Sequence, residues 1–227
     1  MLGENQFLIK YVDPGSLISA FGNFPIGDEE STKLYELLIT YDSNFFLYNV
    51  ALENFDKAFL KVVNQEVYDL QSIINTSFYL NVCLRMINTL DDIQTKIFVY
   101  THLHLNGLKG NLIPKDKYNN LLFHVYYEKY IKNDVIKYPI RATQFNRKTR
   151  DIRNSITHDG ESLIIRNPIN DSSGVYTFIS FDGLRERNIN LYMDIINAIS
   201  SDLKEINQNR KDIETLILSD KHFVKNL

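Results

Sequence analysis

Apolar residues recur at spacings of three and four over two long stretches, the signature of helices that each bury one stripe. In the first, from Ser31 to about Val63, the stripe is Leu34, Leu37, Leu38, Tyr41, Phe45, Tyr48, Leu52, Phe55 and Phe59, with Ser31 placed to cap the N-terminus. The second, from about Glu66 to Tyr100, carries Leu70, Ile73, Ile74, Ser77, Leu80, Leu84, Ile87 and Leu90. Two such helices are expected to pair antiparallel. Gly107, Gly110 and Pro114 interrupt the pattern, and a third helix is predicted from about Lys115 to Ile131 around Leu121, Leu122, Val125 and Tyr126. After Pro139 a fourth helix, about Ile140 to His158, stops at Gly160, a residue suited to the left-handed position past a helix end. Ser162–Arg166 and Val175–Phe181 are rich in β-formers and flank the turn sequence Asn170-Asp171-Ser172-Ser173-Gly174, which predicts a small hairpin. A last helix, about Arg187 to Leu218, follows. The expectation is an all-α fold: one domain over 1–227, with its core over about 31–218 and a β-hairpin within about 162–181.

Composition narrows the chemistry. The 227 residues hold 25 Lys and Arg against 28 Asp and Glu, a net charge of -3, so anion binding must come from a local patch. A hydrophobic fraction of 44% supports a substantial core. Cys83 is the sole cysteine, which excludes an intramolecular disulfide and a cysteine-rich zinc site and fits a reducing compartment. Met1 to Tyr11 lacks a basic segment leading into an apolar one, and no run of about 18 apolar residues occurs, so a cytoplasmic protein without membrane contact is expected. Asn reaches roughly a tenth of the chain, which reads as composition bias rather than chemistry.

Charge is concentrated on the fourth helix. Arg141, Arg147, Lys148, Arg150 and Arg153 face only Asp151 in that stretch. At about 100° per residue, Arg150, Arg153, Asn154 and His158 share one side, with Phe145, Ile152 and Ile156 opposite. For an arbitrary charge run the ordinary meaning is a solvated helix face. Here Arg153-Asn154-Ser155-Ile156-Thr157-His158, at the end of an amphipathic helix in a helical chain, resembles the R-x4-6-H motif of the HEPN superfamily, in which a polar residue, often Asn, follows the Arg.

That resemblance implies a HEPN-like bundle of four or five helices, with the hairpin as an embellishment. It further implies a metal-independent endoribonuclease of toxin or phage-defence type that needs no cofactor. Cleavage of RNA by its own 2′-OH requires a group that moves protons near neutral pH and a cation for the developing phosphorane charge. Histidine is the side chain that titrates nearest neutrality, so His158 takes the first role and Arg153 the second, while Asn154, one turn before His158, orients the imidazole or the phosphate. Arg153 and His158 lie about 140° apart on a regular helix. Family members meet that difficulty by dimerising, so a homodimer with the fourth helix in its interface is expected. Arg147, Lys148 and Arg150 are assigned to phosphate contacts that hold RNA without reading its sequence. Family members are often silenced by an antitoxin, for example of nucleotidyltransferase type, and often carry an upstream acid against the motif, for which Glu53, Asp56 and Glu66 are the candidates.

Other motifs point less far. His102-Leu103-His104 has no further ligand at a recognisable spacing, and Gly107-Leu108-Lys109-Gly110 lacks the length and the Lys-Ser or Lys-Thr of a phosphate-binding loop. Asp91-Asp92 is expected on a solvated helix face, and Ser155 has no nucleophile-elbow surroundings. The alternative to catalysis is a HEPN-like module that binds RNA, a nucleotide or an acidic protein without turnover. A weaker alternative is a structural helical protein.

Overall fold

A computed structural model describes residues 29–64, 69–131, 147–170 and 174–219, with the side chains of residues 211 and 213–219 outside the described set. The described residues are mostly helical with one two-stranded antiparallel hairpin, as the apolar periodicity predicts for an all-α class. In chain order the elements are α1 (Glu29–Asn64), α2 (Leu70–Leu105), α3 (Phe123–Tyr126), α4 (Lys148–Asn154), β1 (Ile169–Asn170), β2 (Tyr176–Thr177) and α5 (Phe181–Ser219). No described helix is long and apolar enough to cross a membrane.

The helix ends follow local chemistry. Asp69 caps α2, its carboxylate accepting from the Gln71 and Ser72 N–H groups at 3.0 and 3.2 Å. Ser180 does the same for α5 through the Gly183 N–H at 3.2 Å. Ser31 is not a cap: it lies within α1 and is buried, with its hydroxyl 3.0 Å from His104 Nδ1. The third helix is shorter than predicted because Asp116 folds the preceding segment into a loop, accepting from the N–H groups of Tyr118 and Asn120 and from the Asn120 amide. That helix is a single α-turn continuing as a π-turn, Tyr127–Ile131.

The chain divides into two compact units, each drawing on α1, α2 and α5. The described part of the first comprises residues 29–46, 89–131 and 203–219. Its core includes Leu34, Leu38, Tyr41 and Phe45 from α1, Ile97 and Leu103 from α2, and Ile206 from α5. Here α1 and α2 run antiparallel, since Ser31 meets His104 while Tyr41, ten residues on, accepts from Gln94 at 3.0 Å. Glu30 is buried and accepts from the Gly110 N–H at 2.8 Å and from Lys109 at 3.0 Å, tying the loop after α2 to the start of α1.

The described part of the second unit comprises residues 47–64, 69–88, 147–170 and 174–202. Tyr48 and Phe55 of α1, Ile73, Leu80 and Leu84 of α2, and Leu184, Tyr192, Ile195 and Ile199 of α5 are buried. The Tyr192 hydroxyl lies 2.6 Å from Ser77 Oγ and donates to the Ile73 carbonyl at 3.2 Å, so the polar end of a buried ring is satisfied. In the hairpin Ile169 pairs with Thr177 and Asn170 with Tyr176. Ser162–Arg166 is not its first strand. Ser162 Oγ turns the chain onto Ile164, and the Asn188 amide takes both backbone groups of Ile165, so no neighbouring strand is needed there.

Candidate functional site

The motif helix lies in the second unit. The helix expected from about Ile140 begins instead at Lys148, because Arg147 before it is extended (φ -91°, ψ 127°); Arg141 and Phe145 lie outside the described residues. Arg147 offers no side-chain cap. The cap comes instead from α5, where Asp202 Oδ2 accepts from the Thr149 N–H at 2.9 Å and from the Thr149 hydroxyl at 2.7 Å. The Asp202 carbonyl accepts from Arg147 Nη1 at 3.5 Å, and the Thr149 carbonyl accepts from the Asn88 amide at 3.3 Å. Arg147, Thr149, Asp202 and Asn88 are all buried.

Beyond Asn154 the helix widens into a π-turn, Ser155–Asp159, which ends at Gly160 in the left-handed region (φ 72°) with its N–H on the Ser155 carbonyl. Gly160 therefore stops the helix as its sequence position predicts. The five-apart bond joins Gly160 to Ser155, so His158 lies within the widened turn and Arg153 before it, at the end of α4.

The six assigned side chains separate by exposure. His158 and Lys148 are exposed, while Arg150, Arg153 and Asn154 are partly buried. Arg153 Nε is shielded from solvent and makes no hydrogen bond. Arg147 is only 2% exposed, which corrects the phosphate contact expected of it: a guanidinium packed in the unit and donating to a backbone carbonyl is part of the scaffold. The surface is also less basic than a count of cations suggests, because Asp151, Asp159 and Glu161 are exposed beside the motif.

The acid that touches the motif helix is downstream. Glu53 is exposed and paired with Lys57 at 2.7 Å, Asp56 is a partly exposed carboxyl that burial holds above its ordinary range, and Glu66 lies outside the described residues. Asp202 was recognisable only by register: Ile195, Ile199, Asp202 and Ile206 follow one another at steps of four, three and four, putting a carboxylate in an apolar stripe. Such a side chain must find buried donors.

The remaining motifs are engaged separately. His102 Nδ1 lies 3.0 Å from the Tyr126 hydroxyl and His104 Nδ1 3.0 Å from Ser31 Oγ, so the two imidazoles face different partners. Asp91 is buried, not on the solvated face expected of it. Among the described residues no three His, Cys, Asp or Glu side chains gather where a metal ion would be held. No protein-family model, curated protein or solved structure matches the chain.

Proposed function

We propose that this protein is a metal-independent endoribonuclease of the HEPN type, of the toxin or phage-defence kind, acting at a site shared across a homodimer. The observation that carries the proposal is the end of the motif helix, where His158 stands exposed on the π-turn that ends at Gly160, just beyond the partly buried Arg153 and Asn154. In the reaction the RNA 2′-OH attacks the adjacent phosphorus, the 5′-oxygen leaves, and a 2′,3′-cyclic phosphate remains. His158 moves the proton at the attacking or departing oxygen, Arg153 offsets the charge on the phosphorane, and Asn154 holds the phosphate or the imidazole. Lys148 and Arg150 hold the RNA backbone. A second protomer supplies the facing motif, and a nucleotidyltransferase-type antitoxin is the partner class that would silence the site.

The test is incubation of purified wild type and His158→Ala with total RNA in EDTA, followed by analysis of fragment ends. Cleavage by wild type alone, leaving 2′,3′-cyclic phosphate, supports the reading; intact RNA with both folded proteins overturns it. RNA or nucleotide binding without cleavage products would instead support a non-catalytic binding module.

A further inference from the structure

We infer that Asp202 is the positioning residue of the motif, acting as an N-cap supplied in trans by α5; this rests on the proposed role of His158. Three observations carry it. The residue that precedes α4 provides no side-chain cap, so the first N–H groups of the helix need an outside acceptor. Asp202 Oδ2 is that acceptor and takes both the N–H and the hydroxyl of Thr149, at 2.9 and 2.7 Å. The groups are buried, and Arg147 Nη1 and the Asn88 amide secure the Asp202 and Thr149 carbonyls beside them.

The consequence reaches the other end of the segment. α4 and its π-turn are continuous from Lys148 to Asp159, about three turns, so fixing the first turn fixes the direction in which Arg153 and His158 project. A carboxylate at this end also complements the positive end of the helix dipole. Asp202 does not touch the reacting atoms. It determines where the atoms that do are held.

Two isosteric substitutions test this by NMR. Asp202→Asn removes the charge and keeps the shape, and Thr149→Val removes the hydroxyl donor; Thr149→Ser keeps the donor and serves as the rescue. In either of the first two the Thr149 amide should exchange about fivefold faster, the change expected for a lost cap, and the His158 imidazole resonances should move. Thr149→Ser should restore both. If wild type cleaves RNA, Asp202→Asn should lower kcat with little change in KM. Unchanged Thr149 exchange with unmoved His158 resonances in the folded variants overturns the inference. Moved resonances in a protein whose wild type leaves RNA intact sustain the positioning role and overturn the proposed activity instead. Should Asp202→Asn fail to fold, the Thr149 pair decides by the same two NMR measures.

Discussion

The side-chain amide of Asn188 holds the backbone of Ile165 as a neighbouring strand would, accepting from its N–H at 2.9 Å and donating to its carbonyl at 3.0 Å. Asn167 repeats the arrangement with Ile179 at 3.0 and 2.8 Å. Two asparagines thus anchor the segment that leads from the motif helix into α5. Part of the asparagine content that resembled composition bias therefore has a structural use.

Asn188 is fully buried and also donates to the Leu184 carbonyl at 2.9 Å, so Asn188→Ala leaves backbone groups of Ile165 without partners. A loss of about 1 to 3 kcal/mol is expected in urea unfolding, because the part-buried backbone groups of Ile165 lose their side-chain partner. A loss under about 0.5 kcal/mol, the size of a surface change, would mean that the loop is held by something else.

Arg147 and Lys148, adjacent in sequence, should behave oppositely. Arg147→Ala should cost on the order of 2 kcal/mol of stability, with the salt dependence of RNA binding unchanged in the folded fraction. Lys148→Ala should leave stability within about 0.5 kcal/mol and lower the log–log salt slope for single-stranded RNA by about 0.7, the value for one phosphate contact. Titrations at several salt concentrations check both, and a slope that changes on Arg147→Ala would return that residue to the binding surface.

Cys83 is buried, and burial first, then the Asp56 charge, pushes its thiol up to about 12. Below pH 9, the thiol's ordinary value, both folded and unfolded states keep the proton; above it the unfolded chain releases the proton that the folded state holds. Stability therefore falls as pH rises from about 9 toward 12. Cys83→Val should make that fall shallower by at most about 1.4 kcal/mol per pH unit, with burial-raised Tyr48 contributing to the remainder. Chemical denaturation across this range checks it, and an identical slope in the variant would show that the thiol is not the titrating group.

Burial raises the Asp56 carboxyl above its ordinary range, so the folded state binds that proton more tightly than the unfolded chain. The ionised carboxylate then works against folding, an effect that is absent in acid and complete once pH has risen through the folded-state value. Asp56→Asn should be more stable than wild type at pH 7, and the advantage should vanish below the ordinary carboxylate range. Equal stability at pH 7 would mean that water still solvates the charge.

The three long helices were legible because a stripe of large apolar side chains at steps of three and four has few ways to leave water. α1 and α2 lie within a few residues of their predicted bounds, and α5 begins earlier because Ser180 caps it. The position of Gly160 likewise announced the end of the motif helix, since glycine adopts positive φ without strain.

The exposure of individual polar residues belonged to the tertiary structure. Arg147 and Lys148 look alike in sequence, yet one is scaffold and the other surface, because burial depends on which elements close over a side chain. The partners of Asp202 and Asn188 were hidden for the same reason, lying 53 and 23 residues away along the chain. The π-turn that holds His158 was equally out of reach, since nothing in the sequence marks a departure from regular winding. Periodicity determined the helices; long-range packing decided which polar side chains hold the motif and which of them face the solvent.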